Sequence, residues 1–166
     1  MVELIVVLVL IGIIGTMAVG RFMERSTFDT AAWTDQLRST LRHAQKMAIA
    51  QNTRIYVHLT SSRVAVCLDN AADCPDATRR VRAPGGANSG SGATRAACGS
   101  SSWMCEAAPA GVTMTRQGKT GTDIGGVFFD GLGRAFMIDG FDGRLEIKGG
   151  ELTSTIGIAP ETGYVD

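Results

Sequence analysis

The chain has 166 residues, with 16 Lys+Arg against 16 Asp+Glu and a formal net charge of +0. That length suits one domain plus an appendage, and the balanced charge gives no long-range attraction to nucleic acid or to an anionic lipid surface. Twenty-one glycines and a 6% aromatic content point to many turns around a small core.

The apolar residues are unevenly placed. Leu4–Val19 reads LIVVLVLIGIIGTMAV without a charge, and the first twenty residues hold one acid, Glu3, and no base. Sixteen helical residues rise about 24 Å, slightly short of a hydrocarbon core of about 30 Å. Met1 and Val2 extend the run, so a membrane span is expected. A cleaved signal peptide needs a basic stretch before the apolar run and a small-residue cleavage site after it. Nothing basic precedes Leu4, and the run passes directly into a helical pattern. A carboxylate at the edge of such a segment is costly to bury alone. Glu3 therefore either sits at headgroup level or meets a cation supplied by a neighbouring subunit.

From Arg21 to about Gln51 the pattern becomes amphipathic. Trp33, Leu37, Leu41, Ala44 and Ala48 recur at steps of three and four, which marks one buried helical face; Asp35, Arg38, Arg42 and Lys46 take the others. No proline interrupts residues 1–74. One helix to about residue 51 is predicted, roughly 75 Å long, with any break falling between Gly20 and Asp29. Its first half (1–24) requires lipid or other helices. Its second half belongs with the globular head (25–166) and requires a sheet to cover the Trp33 stripe.

Strand signals follow the helix. Arg54–Leu59 and Arg63–Cys67 alternate with period two around Thr60-Ser61-Ser62, which predicts a hairpin. Residues 68–108 lose periodicity and include Gly85-Gly86-Ala87-Asn88-Ser89-Gly90-Ser91-Gly92. A structureless loop of that length needs ties or a function. Further strands are predicted at 112–115, 127–130, 134–138, 144–147 and 154–159, with turns at Asp130-Gly131 and Asp142-Gly143. The expected architecture is α+β: a long N-terminal helix against two small antiparallel sheets.

Four cysteines, Cys67, Cys74, Cys98 and Cys105, form two C-x6-C pairs. An even count in a small glycine-rich head indicates disulfides and an oxidising compartment. Zinc pairs are usually two to four residues apart, and in sequence neither His43 nor His58 adjoins a pair. Of the three pairings, Cys67–Cys74 with Cys98–Cys105 is preferred because each closes a short loop.

The string Met1-Val2-Glu3-Leu4-Ile5-Val6-Val7 resembles the start of a mature type IV pilin, in which an N-methylated Phe and a Thr stand ahead of the residues leading to Glu. On that reading the chain starts two residues inside the mature subunit, and Gly12 and Gly20 fall where the resemblance expects helix-softening residues. The passage from Leu37-Arg38-Ser39-Thr40-Leu41-Arg42-His43-Ala44-Gln45-Lys46 into the strand at Arg54 is similar to the pseudopilin-H and FimT-like group. Val64-Ala65-Val66-Cys67, Ala108-Pro109-Ala110-Gly111-Val112, Phe129-Asp130-Gly131-Leu132-Gly133-Arg134 and Glu161-Thr162-Gly163-Tyr164-Val165 resemble the MshC-type minor pilins of mannose-sensitive haemagglutinin pili. The resemblance implies a pilin-like fold and an assembly role for Glu3. It also implies prepilin peptidase processing, residence in the bacterial inner membrane with a periplasmic head, and passage into an extracellular fibre at or near its tip. Other major and minor pilins are the implied partners, through the N-terminal helix. The alternatives are a minor pseudopilin of a type II secretion system, or a binding module acting as adhesin or DNA receptor.

No nucleophile motif or P-loop is present, and Gly131-Leu132-Gly133 is too short for a nucleotide fingerprint; no catalytic residue is expected. Asp123, Asp130, Asp139 and Asp142 are oxygen ligands of the kind calcium takes, but most of them are followed by glycine or sit at turns, which assigns them to turn-making. Arg79, Arg80, Arg82 and Arg95 form a basic group in the loop. The group is a candidate DNA contact, because FimT-like subunits can bind DNA. The acidic end of the chain, Glu161–Asp166, and the lack of aromatics interleaved with these arginines weigh against it.

Overall fold

The computed structural model describes residues 2–71, 74–116 and 123–166, with side chains described except at 14–25 and 123. One helix of 50 residues, α1 (Val2–Gln51), forms the first third of the chain and runs unbroken through Gly12, Gly20 and Asp29. The hairpin follows as β1 (Ile55–Thr60) and β2 (Arg63–Cys67). Next come a helix, α2 (Gly92–Cys98), and six strands: β3 (Cys105–Ala107), β4 (Val112–Arg116), β5 (Asp123–Phe129), β6 (Ala135–Ile138), β7 (Arg144–Gly149) and β8 (Leu152–Gly157). They make a five-stranded sheet in the order β3-β2-β1-β5-β6 and a three-stranded sheet in the order β4-β7-β8, all antiparallel. The fold is α+β, a helix packed on two antiparallel sheets.

The predicted stripe is the buried face of α1. Trp33, Leu37, Leu41, Ala44 and Ala48 are all at most 2% exposed. Thr30 and Thr34, also buried, prolong the stripe toward the N-terminus, and their hydroxyls donate to the carbonyls of Ser26 and Thr30. Opposite them, strand alternation sends Ile55, Val57, Leu59, Val64, Val66, Val127 and Phe129 toward the helix. Leu145, Ile147 and Ile156 of the smaller sheet complete one continuous core. The Trp33 indole N–H finds no partner among the described residues, so this side chain stabilises through buried area alone.

The described residues between β2 and β4, which lose periodicity in sequence, are tied down by the two cysteine pairs. They fold over the far face of the five-stranded sheet, where Ala65, Cys67, Cys74, Cys98, Trp103 and Cys105 make a second small core. Trp103 donates from Nε1 to the Val66 carbonyl at 2.9 Å. α2 begins inside the Gly-Ser string because the Ser91 hydroxyl accepts from the Thr94 N–H, and it ends at Gly99 in the left-handed conformation. The Glu106 carboxylate fastens the string to β3 by accepting from the Ser89 N–H and hydroxyl, both at 2.6 Å, and from the Thr94 hydroxyl at 2.9 Å.

The polar face of α1 also holds the end of the chain. Arg42 donates twice to the Val165 carbonyl, at 3.2 and 2.8 Å, Arg38 reaches the Asp166 carbonyl at 2.7 Å, and Gln45 donates to the Gly133 and Thr162 carbonyls. Gly163 lies so close to Gly133 that a Cβ there would strike the Gly133 carbonyl, and its φ of 64° is one glycine adopts freely. Arg42→Ala is expected to cost about 1 kcal/mol and to open residues 158–166 to limited proteolysis. Arg42→Lys should restore only part of this, since an ammonium lacks the fork geometry. Protection equal to the parent in both variants would show that the tail is held by other contacts.

Candidate functional site

Two regions bear on function: the N-terminal half of α1 and the far face of the five-stranded sheet. In the first, the large apolar residues from Val2 to Ile13 are 48–76% exposed. Glu3 is exposed in the first turn of the helix, where the helix dipole favours an anion. Gly12 has open space where a side chain would be. Among the described residues no helix is long and apolar enough to cross a membrane. The expected span, Leu4–Val19 extended by Met1 and Val2, falls partly outside the described residues: Met1, and the side chains from residue 14 onward. The described apolar part, 2–13, rises about 18 Å.

Both expected disulfides are present, Cys67–Cys74 with Cα atoms 6.2 Å apart and Cys98–Cys105 at 5.9 Å. Closing loops of this length contributes about 2.5 kcal/mol each in the chain-entropy view. Arginines of the basic group are drawn into this surface. Arg80 lies over the Trp103 ring at 4.3 Å and donates from Nε to the Cys74 carbonyl. Arg79 pairs with Asp69 at 3.5 Å and donates to the Leu68 carbonyl. Arg82 and Arg95 are exposed on different segments, the β-bridge to Trp103 and α2. No aromatic interleaves these arginines along the sequence, but the fold brings Trp103 onto Arg80 although 23 positions separate them. A second such arrangement lies toward β6 on the same face, where three strands bring together Tyr56, tilted against Phe128 at 5.2 Å, and Phe136, stacked on Phe128 at 4.8 Å. Arg54 and Arg134 lie over Phe128 and Phe136.

The acidic residues make turns. Asp130 Oδ1 accepts from the Leu132 and Arg134 N–H groups, and Oδ2 from the Arg134 guanidinium. Burial pushes its pKa up, but the Arg134 and Leu132 hydrogen bonds and the Arg134 charge outweigh that and hold it below the usual carboxylate value. Asp142 accepts from the Arg144 N–H, and Asp139 takes a left-handed turn conformation, φ 57°. The Asp123 side chain lies outside the described ones. Among the described residues the acids form no metal-sized group.

One grouping was missed in the sequence. The β1–β2 register places His58 opposite Ala65 and Tyr56 opposite Cys67, so His58 is the diagonal neighbour of Cys67. A ring nitrogen of His58 and the sulfurs of Cys67 and Cys74 lie within 4.8 Å of one another, all in buried residues. The reading that no histidine adjoins a cysteine pair held only along the sequence; the two-residue Ser61-Ser62 turn, which fixes that register, carried the signal.

Comparisons with protein-family models, with curated proteins and with solved structures return no match for this chain.

Proposed function

We propose that the chain is a minor pilin that helps initiate or prime assembly of a type IV pilus of the mannose-sensitive haemagglutinin kind, at or near the tip of the fibre. The observation that carries this reading is the N-terminal half-helix: apolar and exposed from Val2 to Ile13, with Glu3 the one charge in the first twenty residues, and continuous with a disulfide-bonded head. Ten large apolar side chains left half-exposed withhold burial energy on the order of 10 kcal/mol, which a bilayer supplies before assembly and neighbouring helices supply within a fibre. The head is covered on its inner face by its own helix and on much of its outer face by the disulfide-tied segment, which leaves the half-helix as the surface for other subunits. The sequence resemblance to type IV pilins agrees with this division of labour, with the inner membrane holding the subunit after prepilin peptidase acts.

Deleting the gene and counting surface fibres by electron microscopy tests the proposal. Loss of most fibres, restored by the intact gene, is the expected result. Normal fibre numbers with lost attachment or lost DNA uptake would instead make the protein a binding module.

A further inference from the structure

We propose that, before its cysteines are oxidised, the head holds a zinc-class cation on His58, Cys67 and Cys74, and that this cation and the Cys67–Cys74 disulfide exclude each other. Two thiolates and an imidazole are a borderline-soft donor set that suits zinc, with water in the fourth place. A tetrahedral ion with Zn–S of about 2.3 Å and Zn–N of about 2.0 Å places its sulfurs about 3.8 Å apart and each sulfur about 3.5 Å from the nitrogen. The His58 nitrogen already lies within 4.8 Å of both sulfurs; the sulfurs, bonded to each other here, must part on reduction to about 3.8 Å, which turning the two side chains can supply.

The backbone holds these groups together without help from the sulfur–sulfur bond. Cys67 is fixed in β2, paired with Tyr56 on one side and bridged to Arg80 on the other. Cys74 is fixed by its N–H to the Ala71 carbonyl at 3.1 Å and by its own carbonyl, which accepts from Arg80 Nε at 3.1 Å. His58 is 8% exposed, and among the described residues its polar neighbour is the Asp69 carbonyl, 3.4 Å from Nε2. A contact of that length holds the imidazole weakly and leaves it available to a stronger partner. The second pair is a built-in control: Cys98 and Cys105 have the same spacing, but among the described residues no histidine joins them.

Binding releases two protons, one from each thiol, while neutral His58 donates a nitrogen lone pair. Oxidation uses the same two sulfurs. Both thiols are lost, a sulfur–sulfur bond forms, and glutathione disulfide, as the oxidant, is reduced to two molecules of glutathione. A sulfur held by zinc is not free to attack the oxidant, so zinc should delay one disulfide and spare the other.

The test uses the full chain in detergent micelles. A trialkylphosphine opens both disulfides, becoming the phosphine oxide with oxygen from water, and is removed under argon. Zinc is then titrated against a chromophoric chelator. The expected result is one zinc per chain, bound at least tenfold more weakly by His58→Ala and His58→Gln and unchanged in Cys98→Ser/Cys105→Ser. Glutathione disulfide is then added and the products are mapped by mass spectrometry. Zinc should slow Cys67–Cys74 closure at least tenfold and leave Cys98–Cys105 closure unchanged, a comparison within the parent chain that requires no variant to fold. No zinc uptake, equal uptake by His58→Gln, or equal slowing of both disulfides would overturn the proposal.

Discussion

Leu41→Ala is expected to lower the unfolding free energy of the head by about 3–4 kcal/mol, within the range for large-to-small changes in a closed core. Leu41 is fully buried at the centre of the α1 stripe, between Leu37 and Ala44, and belongs to the core that joins the helix to both sheets. Truncation removes apolar area and leaves a void that a helix tied at both ends of the head cannot close. One tie is the β7–β8 turn, where the Gly149 carbonyl accepts from Thr30; the other is Gln45 on the Gly133 carbonyl. Since small domains have only about 5–15 kcal/mol to lose, the change should shift the urea midpoint clearly. Leu41→Met, which conserves volume, should cost less than about 1.5 kcal/mol. Equal, small effects of both would mean that the helix is not an integral wall of the head.

On the proposed assembly role, Glu3→Gln is expected to leave the protein folded and disulfide-bonded while reducing its recovery with pilin-type subunits by about tenfold or more. Glu3 is exposed in the isolated chain and more than twenty residues from the first buried position of the stripe, so head stability should not respond to it. Among packed apolar helices an unpaired carboxylate costs several kcal/mol, which in the proposed fibre a neighbour's N-terminal ammonium would offset. Gln keeps the size and removes the charge, so it probes pairing rather than packing. A loss of about 1.5–3 kcal/mol, typical of a hydrogen bond to a charged group, corresponds to a ten- to hundredfold change in affinity. Normal recovery of Glu3→Gln would show that the charge is not used in recruitment.

These two residues mark what the sequence made legible. Periodicity finds surfaces that repeat, so the Trp33–Ala48 stripe, the 54–67 hairpin and the later strands were readable to within a few residues of their ends. Glu3 stood out because nothing else in its neighbourhood is charged. The cysteine pairs that tie residues 68–108 were readable from their spacing, but the rest was opaque for a physical reason: its order comes from the Trp103 indole and the Glu106 carboxylate, each joining positions far apart, and neither leaves a repeat behind. α2 has seven residues and β3 three, too short for a pattern to rise above composition. The placement of His58 beside Cys67 and of Arg80 over Trp103 depended on register and on the path of that segment. Likewise, Arg38 and Arg42, polar positions that sequence alone assigns to solvent, proved to be anchors for the end of the chain.

The account stands on the exposed half-helix being an assembly surface. Its most direct test places a photo-crosslinking residue at Val9, which is 56% exposed, and irradiates the cells that make the protein. Covalent adducts to the N-terminal helix of another pilin-type subunit, lost when Glu3→Gln is combined with the probe, are the predicted result. Adducts only to unrelated proteins, under conditions in which fibres are being made, would contradict it.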